Sequence, residues 1–400
     1  MQLSWLRIQE QRTGAGPRVV TTVLIVGAGP AGSVAALVLA RTGVSVRLVD
    51  RASFPRDKLC GDTLNPGTLA IVERLGLRAA VDACARPFTG MMLTGPGGAN
   101  VTTDYPDGLA GAAVTRRDFD QLLVNAAIAA GAEFIPDVHV AGPVMDATGT
   151  RVSGVRVGDH PGREHIRARI VIAADGRHST LAFALGLARF APRPKRWAFG
   201  AYFTDVGGLT ERGEMHIGVD AYTGVAPLAA DVANVCVVRE LKQDATGHRM
   251  GGEDTIAHAL GSSPMLRERF ASARRVSRVA SLGPLAVDTT GAGCPGLLLA
   301  GDAAGFIDPM TGDGMRFALR GGELAAEAAL AELEGGSPGH EHLRFARNRE
   351  FAGKWRFNRA VRSLVASRRA LVLAASVAAR WPAPVRAVVR VAGDVRLARH

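Results

Sequence analysis

Three acidic residues stand where an apolar run stops: Asp50 after Val44–Val49, Asp175 after Ile170–Ala174, and Asp302 after Leu297–Ala300. In an open α/β sheet, ligands sit beyond the carboxyl ends of strands, so acids placed there face what is bound. One Asp-Gly is ordinarily a turn. Three strand-end acids, each with adjoining glycines or a glycine loop, point instead to one ligand held along one sheet edge. The most specific of these loops is Gly27-Ala-Gly29-Pro-Ala-Gly32. Gly27 permits a tight turn, Gly29 lets backbone approach a pyrophosphate, and Gly32 lets a helix pack closely on its strand. The helix start offers free N–H groups and the positive end of a dipole. Asp50, 18 residues beyond Gly32, can accept both hydroxyls of an adenosine ribose.

These residues need particular elements to position them. Val19–Val26 reads as a buried strand, followed by an Ala/Leu-rich helix from about Ala31 to Arg41 and, past Gly43, a second strand Val44–Val49. That βαβ order turns the glycine spacing into a dinucleotide-binding signal. Gly291-Ala-Gly293-Cys-Pro-Gly296 has the same spacing, but it precedes the strand Leu297–Ala300 and opens no helix, so it reads as a loop. The sequence therefore carries no second dinucleotide fingerprint that would mark a dedicated nicotinamide domain. Ile170–Asp175-Gly176 is a strand that runs through Ser179 into a helix. Leu297–Gly301-Asp302 continues through Pro309-Met-Thr-Gly312-Asp-Gly314-Met315 into a helix from Arg316 to about Leu330.

Composition narrows the class. The 400 residues carry 47% hydrophobic and 21% charged side chains, an ordinary globular balance that excludes a disordered chain. The net charge of +11 is unevenly distributed: Leu343–His400 holds 14 Lys and Arg against Glu350 and Asp394, and the rest is close to neutral. Nucleic-acid binding needs a basic face with base-reading or aromatic side chains on a folded domain, and only 5% of residues are aromatic. No nucleic-acid partner is expected. No run approaches the ~20 apolar residues of a membrane-spanning helix, and the N-terminus lacks a signal-peptide core. Cys60, Cys84, Cys236 and Cys294 show neither CxxC nor zinc spacing. No metal is expected, and a reduced, cytoplasmic protein is the plain expectation.

In its three motifs, in order over nearly the whole length, the chain resembles the FAD-dependent oxidoreductases of the p-hydroxybenzoate-hydroxylase fold. The motifs are Gly27-x-Gly29-x-x-Gly32, Ala174-Asp175-Gly176 and Gly301-Asp302. The resemblance implies an α/β fold: a Rossmann-like FAD-binding domain with an inserted β-sheet substrate domain and a helical C-terminal tail. It implies that Asp50 holds the adenosine ribose and Asp302 a ribityl hydroxyl. It sets the backbone of Gly312–Met315 against the flavin near N1 and O2, where negative charge accumulates on reduction. Val114–Leu122 resembles the helix start that supplies a phosphate-facing arginine, the place of Arg116. The implied cofactor-binding set is Gly27, Gly29, Gly32, Asp50, Arg51, Arg116, Asp175, Gly176, Gly301, Asp302, Pro309, Gly312, Gly314 and Met315. One departure is Leu181-Ala182, where the family commonly has an arginine.

Within this superfamily, two segments resemble the geranylgeranyl-reductase-like branch. They are Phe54-Pro-Arg56-x-Lys58-x-Cys60-Gly61-Asp62-x-Leu64 and Gly301-Asp-Ala-Ala-Gly305-Phe-Ile-Asp-Pro309-Met-Thr311-Gly312-x-Gly314. Hydroxylases of the fold usually carry histidine where Gly305 stands; the halogenases' Trp-x-Trp-x-Ile-Pro segment is absent. In Tyr222-Thr-Gly224-Val-Ala-Pro227, glycine stands where prenyl reductases commonly have an aromatic. Cys60 is the catalytic candidate, passing over the flavin ring with Lys58 orienting substrate or cofactor. No neighbour in sequence activates its thiol, so it is not read as a nucleophile. A small buried hydrophobe is the equal alternative. His178 and His216 read as structural or surface residues that could approach the pocket.

The expected layout is a discontinuous FAD-binding domain (19–85, 111–185 and 285–335), a β-sheet substrate domain (86–110 and 186–284) and a basic helical region (336–400). The tail reads as helical from Arg344 to about Arg380, broken at Pro382 and Pro384 before a last helix. On one continuous helix Arg359, Arg362, Arg369 and Arg380 share a face opposite Leu364 and Leu371. Such a helix can lie on an anionic membrane surface, or dock with its arginines in solvent. Three functions follow. The first is reduction of C=C bonds in an isoprenoid or other lipophilic substrate, with NAD(P)H or another reductant as donor. The second is a monooxygenase of the same fold, and the third a non-catalytic lipid-binding module.

Overall fold

The computed structural model describes residues 21–158, 164–192, 196–241 and 250–399. Val19 and Val20, where the first expected strand begins, lie outside the described residues. Two sheets organise the chain. In the first, strands run in the order Leu297–Leu299, Glu164–Ala173, Thr21–Val26, Val46–Val49 and Glu133–Ile135, all parallel. Their interior residues are almost wholly buried, as β-branched runs covered on both faces must be. Register brings the strand ends level: Val26 is opposite both Ala173 and Val49, and Ala173 is opposite Leu299. Gly27, Asp50, Asp175 and Gly301-Asp302 therefore leave the sheet along a single edge. The Gly291–Gly296 segment makes a tight hairpin, Gly293-Cys294 pairing with Leu297-Leu298, and opens no helix.

Six principal helices are labelled α1 (Pro30–Arg41), α2 (Arg116–Ala129), α3 (Gly314–Leu333), α4 (Gly339–Ala366), α5 (Arg368–Arg380) and α6 (Ala383–Ala392). Helix α1 follows Gly29 directly, with Pro30 supplying a preset φ in its first turn. It crosses α3 so closely that a Cβ on Gly322 would meet the Ala31 carbonyl. Helices α1, α2 and α3 bury Leu37, Leu39, Phe119, Leu123 and Leu319 against one face of the sheet.

The second sheet is an antiparallel layer with one parallel pair. Its order is Arg274-Arg275, Arg196–Thr204, Ala233–Glu240, Ala221–Pro227, Arg212–Ile217, Gly90–Thr94 and Asn100–Asp104. Alternation decides which side each residue serves. Phe199, Ala201 and Phe203 pack with Ile256 and Leu260 of the helix Gly252–Ser262, whereas Ala198, Tyr222 and Val238 face inward toward Met310, Val365 and Leu371.

The tail departs from its expected course. It is helical from Gly339, and it breaks at Ser367, whose Oγ accepts from Ala370 N at 3.4 Å and caps α5. A break there cancels the single helical face read across Arg359, Arg362, Arg369 and Arg380. Leu371 turns inward, and Leu364 is half exposed. Helix α4 is no appendage either: Leu343 and Phe351 are fully buried in the core beneath α3. Helices α5 and α6 meet at a 110° bend; among the described residues no single helix is long and apolar enough to cross a membrane.

Candidate functional site

The carboxyl edge of the parallel sheet opens into a cavity of about 420 Å³ that runs on to the inner face of the second sheet. Gly27 takes φ +99°, and a Cβ there would press on the Ala174 carbonyl at 2.5 Å, so the turn requires glycine. A Cβ on Gly32 would overlap the carbonyl of Gly27. Gly29 faces open space, its nearest neighbour being the Arg56 guanidinium, 3.7 Å from where a Cβ would sit. No side chain caps α1 or α3. Both therefore present unsatisfied N–H groups at the cavity wall, where Gly29, Gly312, Gly314 and Met315 lie. A Cβ on Gly312, at φ +69°, would meet nothing within 4 Å. Bare backbone at two helix starts is a cradle for an anionic, polar group.

The acids occupy the rim. Asp50 is buried and accepts from Ala28 N at 2.7 Å and Ala52 N at 2.9 Å, which fixes the carboxylate beside the glycine loop. Asp175 accepts from Thr180 N at 2.8 Å; burial raises its carboxyl, with Ser179 and Thr180 opposing. Asp302, Gly301, Gly176 and Pro309 line the cavity itself. Arg51 stands exposed at the rim, on the Asp175 side.

Arg116 lines the cavity and is buried. It is 6% exposed and forms a two-point pair with Asp120, both bonds 2.7 Å. Burial works against its charge, and Asp120 more than offsets it. Asp120 also holds Arg56 at 3.2 Å, so one buried carboxylate positions two guanidiniums beside the Gly29 backbone. The Arg116–Asp120 pair is an i, i+4 pair on one helix; the partnership with Arg56, far off in sequence, has no local signal. Lys58 lies near Gly176 and Asp302, and burial lowers its ammonium, reinforced by Arg116. Arg177, buried and next in sequence to Gly176, has an Nε with no hydrogen-bond partner among the described residues.

Cys60 lines the cavity, and burial raises its thiol despite a hydrogen bond from Arg116, so it stays protonated at neutral pH. Beneath it lies a polar knot that motif reading missed. Asp62 accepts from Tyr202 Oη at 2.7 Å and from Asn234 Nδ2, which also donates to the Cys60 carbonyl at 2.9 Å. Burial pushes Asp62 up to about 6. A second tie joins the two sheets at Asp308, which accepts from Tyr222 Oη and pairs with Arg196 at 3.1 Å. Each tie joins residues far apart in sequence, so no local pattern marks it. His216 is buried between Glu214 (2.9 Å) and Thr94 (2.9 Å), and His178 packs on Phe190; neither lines the cavity.

Away from this rim the lining turns apolar. Met91, Leu93, Tyr222 and Val238 come from the second sheet, and Leu371, Ala375, Ala378 and Val389 from α5 and α6. The basic tail thus supplies one wall of the cavity through its apolar side.

Comparison with known proteins agrees with this geometry. The FAD binding domain family matches residues 20–353. A menaquinone reductase of Mycolicibacterium smegmatis is 31% identical over 319 residues, covering 76% of this chain and 75% of that protein. Digeranylgeranylglycerophospholipid reductase 2 of Methanopyrus kandleri is 30% identical over 319 residues, covering 78% and 77%. Among solved structures, a flavin-dependent brominase superposes with TM-score 0.80 at 22% identity over 94% of both chains. A geranylgeranyl bacteriochlorophyll reductase-like protein of Thermoplasma acidophilum superposes with TM-score 0.73 at 21% identity, over 92% of this chain and 98% of that one. At those identities the structural likeness, halogenase or reductase, shows the fold alone. The reductase relatives share enough sequence to decide the family, and they favour reduction over oxygenation. The chain belongs to the FAD binding domain family and is an FAD-dependent oxidoreductase.

Proposed function

We propose that the protein reduces C=C bonds in an isoprenoid or other lipophilic substrate. The observation that carries this reading is one continuous cavity with polar backbone and cations at one end and apolar side chains at the other. A long hydrocarbon fits the second end, and its unsaturated carbon would then lie against the first. The names of the relatives, reductases of menaquinone and of a digeranylgeranyl lipid, support this substrate class. Bound FAD supplies two-electron transfer.

In this reading Gly27, Gly29 and Gly32 cradle the pyrophosphate with Arg116 and Arg56 beside it. Asp50 holds the adenosine ribose, with Arg51 at the same rim. Asp302, with Gly301, Asp175 and Gly176, takes the ribityl side. Pro309 and the Gly312–Met315 backbone lie against the ring. Cys60, kept protonated, packs over the ring and holds its proton at Sγ; Lys58 orients the head of the substrate. The flavin-binding part then comprises 19–85, 111–185 and 285–335, and the substrate part 86–110 and 186–284, as the two sheets suggest. NAD(P)H or another reductant is the donor. The region 336–400 contacts an anionic membrane surface at the inner face of the cell membrane.

The test is anaerobic. Protein with photoreduced FAD is mixed with a polyprenyl alkene under argon, and the 450 nm band is followed. Return of that band with formation of the saturated product is the expected outcome. Turnover only in air, with labelled oxygen in the product, would show a monooxygenase instead. A colourless protein that takes up no added FAD would leave the lipid-binding module.

A further inference from the structure

The apolar end of the cavity is not sealed. Leu364, at the end of α4, and Val388, on α6, both line the cavity and are 43% and 36% exposed. A residue that does both marks an opening, so the cavity has a mouth beneath the α5–α6 bend. Beside it the outer face of the bend is apolar where solvent meets it: Leu373 is 67% exposed and Trp381 is 71%. Around these lie Arg368, Arg369, Arg380, Arg386 and Arg390, all exposed. Between Phe351 and Gly393 the sequence has nine Lys and Arg and no acid.

The bend is held at both ends. Upstream, Phe351 is buried in the core. Downstream, Lys354 bonds the carbonyls of Val391 and Ala392, Asn65 Nδ2 donates to Ala392 O at 3.0 Å, and Gly67 N donates to Gly393 O at 3.0 Å. So the exposed apolar corner is a fixed feature of the surface, and the family match ends at residue 353, ahead of it.

We propose that the α5–α6 bend docks on an anionic lipid bilayer and that the Leu364–Val388 mouth takes the hydrocarbon substrate directly from that bilayer. Charge complementarity selects the occupant. An acid-free cluster of arginines around an exposed Trp and Leu matches the headgroup and upper acyl layers of anionic lipid. A second copy of the chain would bring like charge against like. Lateral loading also solves a physical problem, since a long polyprenyl chain crossing water would expose its whole apolar surface. The proposal rests on the reading of the cavity as a substrate site and of the tail as membrane-facing, and it adds the docking surface and the route.

The experiment uses full-length, FAD-loaded protein and cosedimentation with vesicles of phosphatidylcholine, alone or mixed in equal parts with phosphatidylglycerol. Wild type should bind the mixed vesicles and not the neutral ones. Arg368→Gln/Arg369→Gln should weaken binding about thirtyfold, from ~1 kcal/mol for each arginine near an anionic surface. Leu373→Asp/Trp381→Asp should abolish it. Val388→Trp should bind normally but take up dansyl-labelled geranylgeraniol from the vesicles at least tenfold more slowly. Unchanged flavin absorbance and thermal unfolding in each variant show that the fold is intact. Equal binding to both vesicles, or binding unmoved by the arginine and Trp381 variants, overturns the docking surface. Wild-type uptake by Val388→Trp overturns the mouth. A dimer that Trp381→Asp converts to a monomer assigns the face to a second copy and also overturns it. None of these readouts measures turnover. A protein that docks and loads but never consumes alkene refutes the reductase reading and leaves this one standing.

Discussion

Lys354 Nζ lies 2.9 Å from Asp313 Oδ1, inside a buried pocket that also holds Asp394 at 3.0 Å. Asp313 sits between Gly312 and Gly314, the backbone that the proposed function sets against the flavin. The ammonium therefore joins the Gly312–Gly314 loop to the last helical turn of a tail nearly 80 residues further on. Burial raises Asp313 to about 6, and Lys354 opposes that rise. Removing one member of such a set leaves uncompensated buried charge, which costs more than the intact set contributes.

Lys354→Met should destabilise the protein by about 3–5 kcal/mol at pH 7.5. Adding Asp313→Asn and Asp394→Asn in the same chain should recover most of that loss, because no charge is then left unpaired. Denaturant unfolding of the three proteins checks this; equal stability of single and triple variants would refute it.

Asp62 gives a pH signature. Its folded value of about 6 lies above the unfolded 3.8, so the folded state binds the proton more tightly. Its stabilising contribution is full below about 3.8 and is lost as pH rises through about 6. Over that window the group changes folding free energy by about 3 kcal/mol, at 1.36 kcal/mol per unit. Asp62→Asn should remove that component, so the wild type minus variant difference in unfolding free energy should fall between pH 4 and pH 7. A flat difference would refute the assignment.

Gly32→Ala places a methyl on the Gly27 carbonyl, so α1 must withdraw from the turn it packs on. FAD affinity should fall at least tenfold, read from flavin fluorescence titration, with a smaller loss of stability. Retention of wild-type affinity would show that the α1 start does not hold the pyrophosphate.

Gly224 lines the cavity, and a Cβ there meets its neighbours only at 3.9 Å, so the position admits a side chain. Gly224→Trp should fold and bind FAD normally while filling apolar space. KM for a long polyprenyl substrate should rise about tenfold or more, with KM for a short one little changed. Equal effects on both would place the chain elsewhere.

Cysteine reactivity should follow burial. Burial raises the thiols of Cys60, Cys236 and Cys84, Cys236 to about 12, but of these three only Cys84 is exposed. Iodoacetamide at pH 7.5 should label Cys84 first and leave Cys60 and Cys236 largely unmodified in the folded protein, as followed by peptide mass spectrometry. Rapid labelling of Cys60 would make it a reactive thiolate.

By itself the sequence determined which residues gather at the carboxyl edge of the parallel sheet. Gly27, Gly29, Gly32 and Asp50 lie within one βαβ unit, and Asp175 and Asp302 each follow their own apolar strand, so local spacing and turn chemistry suffice to read them. Helix α1 and the α3 start were legible for the same reason. Tertiary structure alone decided the rest, because it depends on which residues distant in sequence come to share a cavity wall. Asp120 joining Arg56 to Arg116, Tyr202 and Asn234 closing on Asp62, and Lys354 reaching Asp313 each span separations that no periodicity encodes. The tail shows the limit most clearly. Composition marked it as basic and amphipathic, but the cap at Ser367 redirects the chain, and only packing against the second sheet turns Leu371, Ala375 and Val389 into the wall of the site.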